Sequence, residues 1–124
     1  MQAQTLTLLR PRFTITHVTD GVPDVPAGDW WAMSRTPAGI TVIRETGGAA
    51  EPWRAFYNNE PHALDQPGML AAIVHPLAAA GLSVCAASTY QADLVLVAEA
   101  DLDAAIATLQ AAGHTIVPAP SPTT

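Results

Sequence analysis

Lysine is absent from this chain, cysteine occurs once, and no apolar run approaches the length of a membrane span. Each absence excludes something. Five arginines (Arg10, Arg12, Arg35, Arg44 and Arg54) stand singly along the sequence against 11 acidic residues, for a net charge of −6. Nucleic-acid binding needs clustered cations that neutralise several phosphates, and an anionic membrane surface needs the same clustering. Neither nucleic acid nor a membrane is therefore an expected partner. The lone Cys85 excludes an internal disulfide and a cysteine-based zinc site. Its place in the apolar run LSVCAAS predicts a buried, inert thiol. A bilayer helix takes about 20 apolar residues, and the opening MQAQTLTLLRPRF lacks the basic start, apolar centre and cleavage site of a signal peptide. The expected location is cytoplasmic.

Catalytic signatures are equally scarce. His17, His62, His75 and His114 follow no metal-ligand spacing, and there is no Gly-rich phosphate loop, nucleophile elbow or paired-carboxylate pattern. No metal, no cofactor and no enzymatic activity are expected. His62 reads as a solvated loop residue. His114, directly after Gly113, reads as a cation placed favourably at a helix C-terminus.

What is present is a chain of 124 residues, 49% hydrophobic, enough for one domain or two small ones. The unpatterned segment ETGGAAEP (45–52) divides it. Before that break, FTITHVT (13–19) alternates at period two as a half-buried strand does, and WWAMSRT (30–36), a PAG turn and ITVIRE (40–45) form a hairpin. The leading TLTLLR is expected to pair with this small sheet.

The second half is better patterned. WRAFYNN (53–59) has the aromatic content and alternation of a strand. PGMLAAIVHPLAAA (67–80) carries the apolar stripe Met69, Leu70, Ile73, Val74 and Leu77 of a helix, capped by Asp65 or Gln66, with Pro67 in its first turn and Gly81 ending it. Pro76 interrupts that helix by removing one hydrogen bond. LSVCAAS (82–88) and LVLVAE (94–99) are strands joined by TYQAD. Asp101 caps an alanine-rich helix ended by Gly113, TIVP (115–118) is a short strand, and 119–124 is a disordered tail. The order strand, helix, strand, strand, helix, strand is the ferredoxin-like arrangement, an α+β fold with both helices on one face of an antiparallel sheet. The other face needs cover, from the N-terminal hairpin or from a second copy of the chain.

Two segments could carry a ligand. In LDQPGML (64–70) a helix begins, offering unpaired N–H groups beside Gly68, which suits a carboxylate. The same residues also serve simply to start a helix. In STYQAD (88–93) two hydroxyls, a phenol and a carboxylate lie between apolar strands, with Asp93 able to pair with an ammonium or guanidinium group. An ordinary polar hairpin loop has the same composition.

Asp65, Pro67, Gly68, Leu70, Ile73, Leu77, Gly81, Ser83 and Val84 together form a pattern, D-x-P-G-x-L, I-x-x-x-L, G-x-S-V, that resembles the signature of ACT domains. With S-T-Y-x-x-D-x-x-L-V, the stretch from about 52 to 118 resembles a branch of bacterial stand-alone ACT proteins similar to the cytosolic arginine sensors of animal cells. The resemblance implies a ferredoxin-like βαββαβ ACT domain over 52–118, preceded over 1–48 by a short, incomplete ACT-like β-rich half. It implies a non-catalytic, regulatory protein that binds an amino acid where the loop before the first helix meets a neighbouring ACT unit. Carried over by position, the ligand-binding residues are Thr89, Tyr90 and Asp93 in the hairpin and Asp65, Gln66, Gly68 and Met69 at the helix start. Ala63 stands where the sensors have glycine and Gln66 where they have an acid, which removes a carboxylate that a guanidinium would meet. A homodimer is the expected assembly. The competing expectation is a structural dimerisation or interaction module with a decayed pocket.

Overall fold

The computed structural model describes residues 3–23, 31–58, 67–90 and 92–119. The chain runs β1 (Thr5–Leu8), β2 (Arg12–Val18), β3 (Trp31–Thr36), β4 (Gly39–Thr46), β5 (Trp53–Asn58), α1 (Met69–Ala79), β6 (Cys85–Ser88), β7 (Asp93–Ala98), α2 (Leu102–Ala111) and β8 (Thr115–Pro118). From β5 onward this is the expected βαββαβ order, and the described residues form a mixed α+β structure with an eight-stranded sheet and two helices.

The first strand departs from expectation. TLTLLR does not join the N-terminal hairpin. Instead β1 inserts between the first and last strands of the βαββαβ unit, antiparallel to β5 (Leu6 opposite Asn58) and parallel to β8 (Leu6 opposite Ile116). β2 continues along the same edge of β5, with Phe13 opposite Trp53. Leu8 lies opposite Phe56, so the N-terminal strand carries extra residues between these pairs, and Pro11 supplies no N–H there. β2 then pairs along its length with β4, and β4 with β3. β5 uses its other edge for β7, and β7 pairs with β6.

Alternation along β7 explains its central place. Val95 and Val97 face one side with Leu6 and Phe56, where Ile73 and Leu77 of α1 and Ala105 and Leu109 of α2 cover them. Leu94 and Leu96 face the other side with Leu9, Phe13, Ile43 and Ala55. A strand buried on both faces reads as a continuous apolar run, as DLVLVA does. Phe13 and Phe56 are buried almost completely, each contributing about 1.5–3 kcal/mol by leaving water. The N-terminal hairpin covers the second face. Ala32, Met33 and Ile43 on β3–β4 form one wall of a cleft of about 450 Å3 whose other wall is β6, so the sheet curls around Phe13, Leu94 and Leu96.

Both helix starts differ from the sequence expectation. Gly68, at φ 81°, occupies the residue before α1, and Pro67 precedes it rather than entering the first turn. A left-handed backbone at that point favours glycine over any L side chain. Asp65 and Gln66, the expected caps, lie outside the described residues. Asp101 makes no side-chain cap bond, because a 3₁₀ turn over Glu99–Asp101 leads into α2 and leaves Asp101 at φ −99°, ψ 3°; a capping side chain needs extended backbone. Gly81 and Gly113 end the two helices at positive φ as expected. The strand expected over 82–88 is formed only by its last four residues.

His114 is not a solvent-facing cation. It is buried, its Nδ1 accepts the Gln4 N–H at 3.1 Å, and its Nε2 lies 2.6 Å from the Ala72 carbonyl. An imidazolium has no acceptor, so this pair of bonds assigns the neutral Nε2–H tautomer. In a regular helix the Ala72 carbonyl would take the N–H of residue 76, which is proline. His114 supplies the donor that Pro76 lacks.

Candidate functional site

The two candidate segments lie at the β5–α1 junction and at the β6–β7 hairpin. In the hairpin, β6 ends and β7 begins at one register pair, Ser88 opposite Asp93. The Ser88 hydroxyl donates to Asp93 Oδ1 at 3.0 Å. Asp93 is only 3% exposed, which is unusual for a carboxylate, since a buried charge must be compensated by polar partners. The Thr89 hydroxyl donates to the Ala92 carbonyl at 2.7 Å and accepts the Ala92 N–H at 3.1 Å, while the Thr89 N–H donates to the same carbonyl. The turn is thus closed by Thr89 itself. Tyr90 at its tip is 78% exposed.

At the other segment, Gly68 is exposed and Met69 is buried. The Gly68 carbonyl accepts the Ala72 N–H at 3.0 Å and starts the helix. No acidic residue stands in the first turn of α1, so its leading N–H groups and the positive end of the helix dipole are not neutralised by a carboxylate of that turn.

Beneath this junction lies a polar cluster that sequence patterning did not reveal. Gln4 is 3% exposed and Asn58 is fully buried. The Asn58 side-chain amide donates to Gln4 Oε1, and Gln4 Nε2 donates to the Met69 carbonyl at 2.8 Å. The Gln4 carbonyl accepts the Thr115 N–H at 2.9 Å. Together with His114 these groups join β1, β5, α1 and β8 at the end of the sheet where α1 begins. Nothing local marks Gln4 in QAQTLTLL; only the tertiary partners give it meaning.

The structure therefore brings Ser88, Thr89 and Asp93 together in one hairpin, and places Gly68 and Met69 at the start of a helix that packs on the same central sheet. Asp65, Gln66, His62 and Ala63 lie outside the described residues. Cys85 is half-buried at the start of β6, and burial pushes its thiol pKa up, away from reactivity. Among the described residues no three His, Cys, Asp or Glu side chains lie close enough to hold a metal ion. No helix among them is long and apolar enough to cross a membrane.

Comparison with known proteins bears on the same region. A crystal structure of a protein from Agobacterium tumefaciens matches all of this chain and 99% of its own, at a TM-score of 0.84 and 21% identity. A protein of unknown function from Vibrio cholerae, described as a possible transport protein, matches 87% of this chain and 88% of its own, at a TM-score of 0.70 and 20% identity. At such identities the likeness establishes the fold, including the inserted N-terminal strand region that the first match spans. No curated protein matches the chain. The family model of the ACT domain matches residues 49–111, from before β5 to the end of α2 and more than half of the sequence. The chain belongs to the ACT domain family, whose members are in general regulatory, small-molecule-binding modules and not catalysts.

Proposed function

We propose that this chain is a cytoplasmic, non-catalytic sensor that binds a free amino acid and works as a homodimer. The observation that carries this reading is Asp93, a carboxylate almost fully buried at the mouth of a hairpin. It is a counter-charge for a ligand's ammonium group in a place where desolvation strengthens the pairing. The ligand's carboxylate goes to the N–H groups at Gly68 and Met69, where no acidic side chain of the first turn competes. Asp65 and Gln66, just before this turn in sequence, contribute side-chain contacts, and Gln66 recognises a neutral polar group rather than a guanidinium. Tyr90, exposed at the hairpin tip, packs on the ligand or on a second copy of the chain. Binding then favours one arrangement of the dimer over others, the basis of allosteric regulation.

A second reading is supported by Thr89. Its hydroxyl already serves the turn, so a ligand taking that hydroxyl competes with a bond the hairpin makes by itself. A dimerisation module with no ligand has no such conflict.

Thermal unfolding against each of the twenty amino acids at millimolar concentration separates the two. A ligand at 100 times its Kd adds about 2.7 kcal/mol, which moves the midpoint by several degrees in a domain of this size. One responder, lost in Asp93→Ala, supports the sensor. Twenty unchanged midpoints together with clear self-association establish the structural module instead.

A further inference from the structure

We propose that the outer face of the helix layer, built by α1 and α2, is the surface on which two copies of this chain meet. The proposal rests on the homodimer put forward above and gives that dimer its interface. From Gln66 to Ala92, and again from Ala104 to Thr124, the sequence has no Asp, Glu, Lys or Arg. Of the 5 arginines and 11 acidic residues, only Asp103 falls within a helix, in the first turn of α2. The two helices pack against each other and bury Ile73, Leu77, Ala105 and Leu109 over the sheet. Every exposed position on their other side is alanine except His75, Asp103 and Gln110. A helix that faces water ordinarily carries charged and polar residues along that face. Alanine loses no rotamer freedom when it is covered and lets another helix come close.

Charge selects the partner. Each copy carries a net −6, so two copies repel wherever their carboxylates approach, and a face almost free of charge is where that repulsion is least. Nucleic acid and anionic membranes find no cation on this face. A charged protein surface would lose water here and gain no counter-charge. A second copy brings the same uncharged alanine face, and two-fold symmetry sets the helices of one protomer against those of its partner.

The test is sedimentation equilibrium of the full chain with Ala107→Arg, a substitution to another strong helix former at an exposed site. Symmetry introduces the new charge twice, so the dimer should weaken by at least about a hundredfold. An arginine also lowers the net charge, so general repulsion would change the dimer in the opposite sense. Ser34→Arg, exposed on β3, should leave the dissociation constant within about twofold. Raising salt from about 0.05 M to about 0.5 M should tighten the wild-type dimer by screening the two net charges; a dimer that salt weakens overturns the proposal. A dimer that survives Ala107→Arg overturns this interface and leaves the homodimer standing. A monomeric wild type at millimolar concentration overturns both. Should Ala107→Arg not fold, amide exchange of the wild type decides: protection that rises with protein concentration in α1 and α2 but not in β3 supports the interface, and protection independent of concentration overturns it.

Discussion

His114 and Ala72, 42 positions apart in sequence, meet at 2.6 Å between an imidazole nitrogen and a helix carbonyl that has no helical donor. Two features that look unrelated in the sequence, a proline inside a helix and a histidine after the next helix, are one interaction. His114→Ala leaves the Ala72 carbonyl and the Gln4 N–H without partners and should cost roughly 2–3 kcal/mol. Pro76→Ala restores the helical N–H, so in that background the same histidine substitution should cost about 1 kcal/mol less. Urea unfolding of the four proteins gives the coupling, and equal costs in both backgrounds would disprove it.

The Ser88–Asp93 pair separates stability from binding. Ser88→Ala removes one hydrogen bond at an exposed position and should lower stability by about 1 kcal/mol, measured as a shift in denaturant midpoint. Asp93→Ala should abolish the response to the amino acid while leaving the folded state cooperative, because Ser88 can then bond to water. An Asp93→Ala variant that binds as tightly as wild type removes Asp93 from the site.

Gly39 closes the β3–β4 hairpin at φ 131°, and a Cβ there would strike the His17 ring and come within 2.6 Å of the Val18 carbonyl. His17 Nε2 is itself 2.8 Å from the Ala38 carbonyl, so the ring cannot yield without losing a contact. Gly39→Ala should destabilise by about 2 kcal/mol or more, since backbone strain and a backbone clash add. Gly47→Ala, where added bulk meets open space, is the matched control; equal midpoints for the two variants would contradict the geometry.

Burial raises the Cys85 pKa above that of a free thiol. In the unfolded chain the thiol ionises first, so the unfolded state binds fewer protons at alkaline pH and stability should fall as pH rises through the free-thiol range. Below that range the thiol contributes no slope. Alkylation by iodoacetamide at pH 8 should be slower in the folded protein than in denaturant, because only the thiolate reacts. Equal rates would show an ionised, accessible sulfur.

Much of the fold was legible because its signals are local. The double-sided apolar run of β7, the stripe of α1 and the glycines that end both helices each depend on neighbours a few residues away. What escaped depends on distant partners. The alternation of TLTLL shows a strand but not which edge it joins, since pairing with β8 is chosen by packing around Leu6. Gly-His at a helix end looks like a charge placed for the dipole, and only Gln4 and Ala72 reveal a buried neutral ring. Within the candidate site, the Ser88–Asp93 hairpin could be read from residue type. The Gln4–Asn58 pair could not, because glutamine and asparagine beside strands are usually solvent-facing.

The insertion of β1 between β5 and β8 also sets the order in which the chain can fold. Gln4 and His114 are separated by 110 positions, and loop closure over that length must be met before the β1–β8 ladder rewards it. High contact order of this kind slows folding. During synthesis at roughly 5–20 residues per second, β1 and β5 can pair early, but the far edge of β1 stays open for several seconds until β8 emerges. Nascent chains stalled before residue 115 should therefore engage holding chaperones through that edge, and release from them should coincide with the appearance of TIVP.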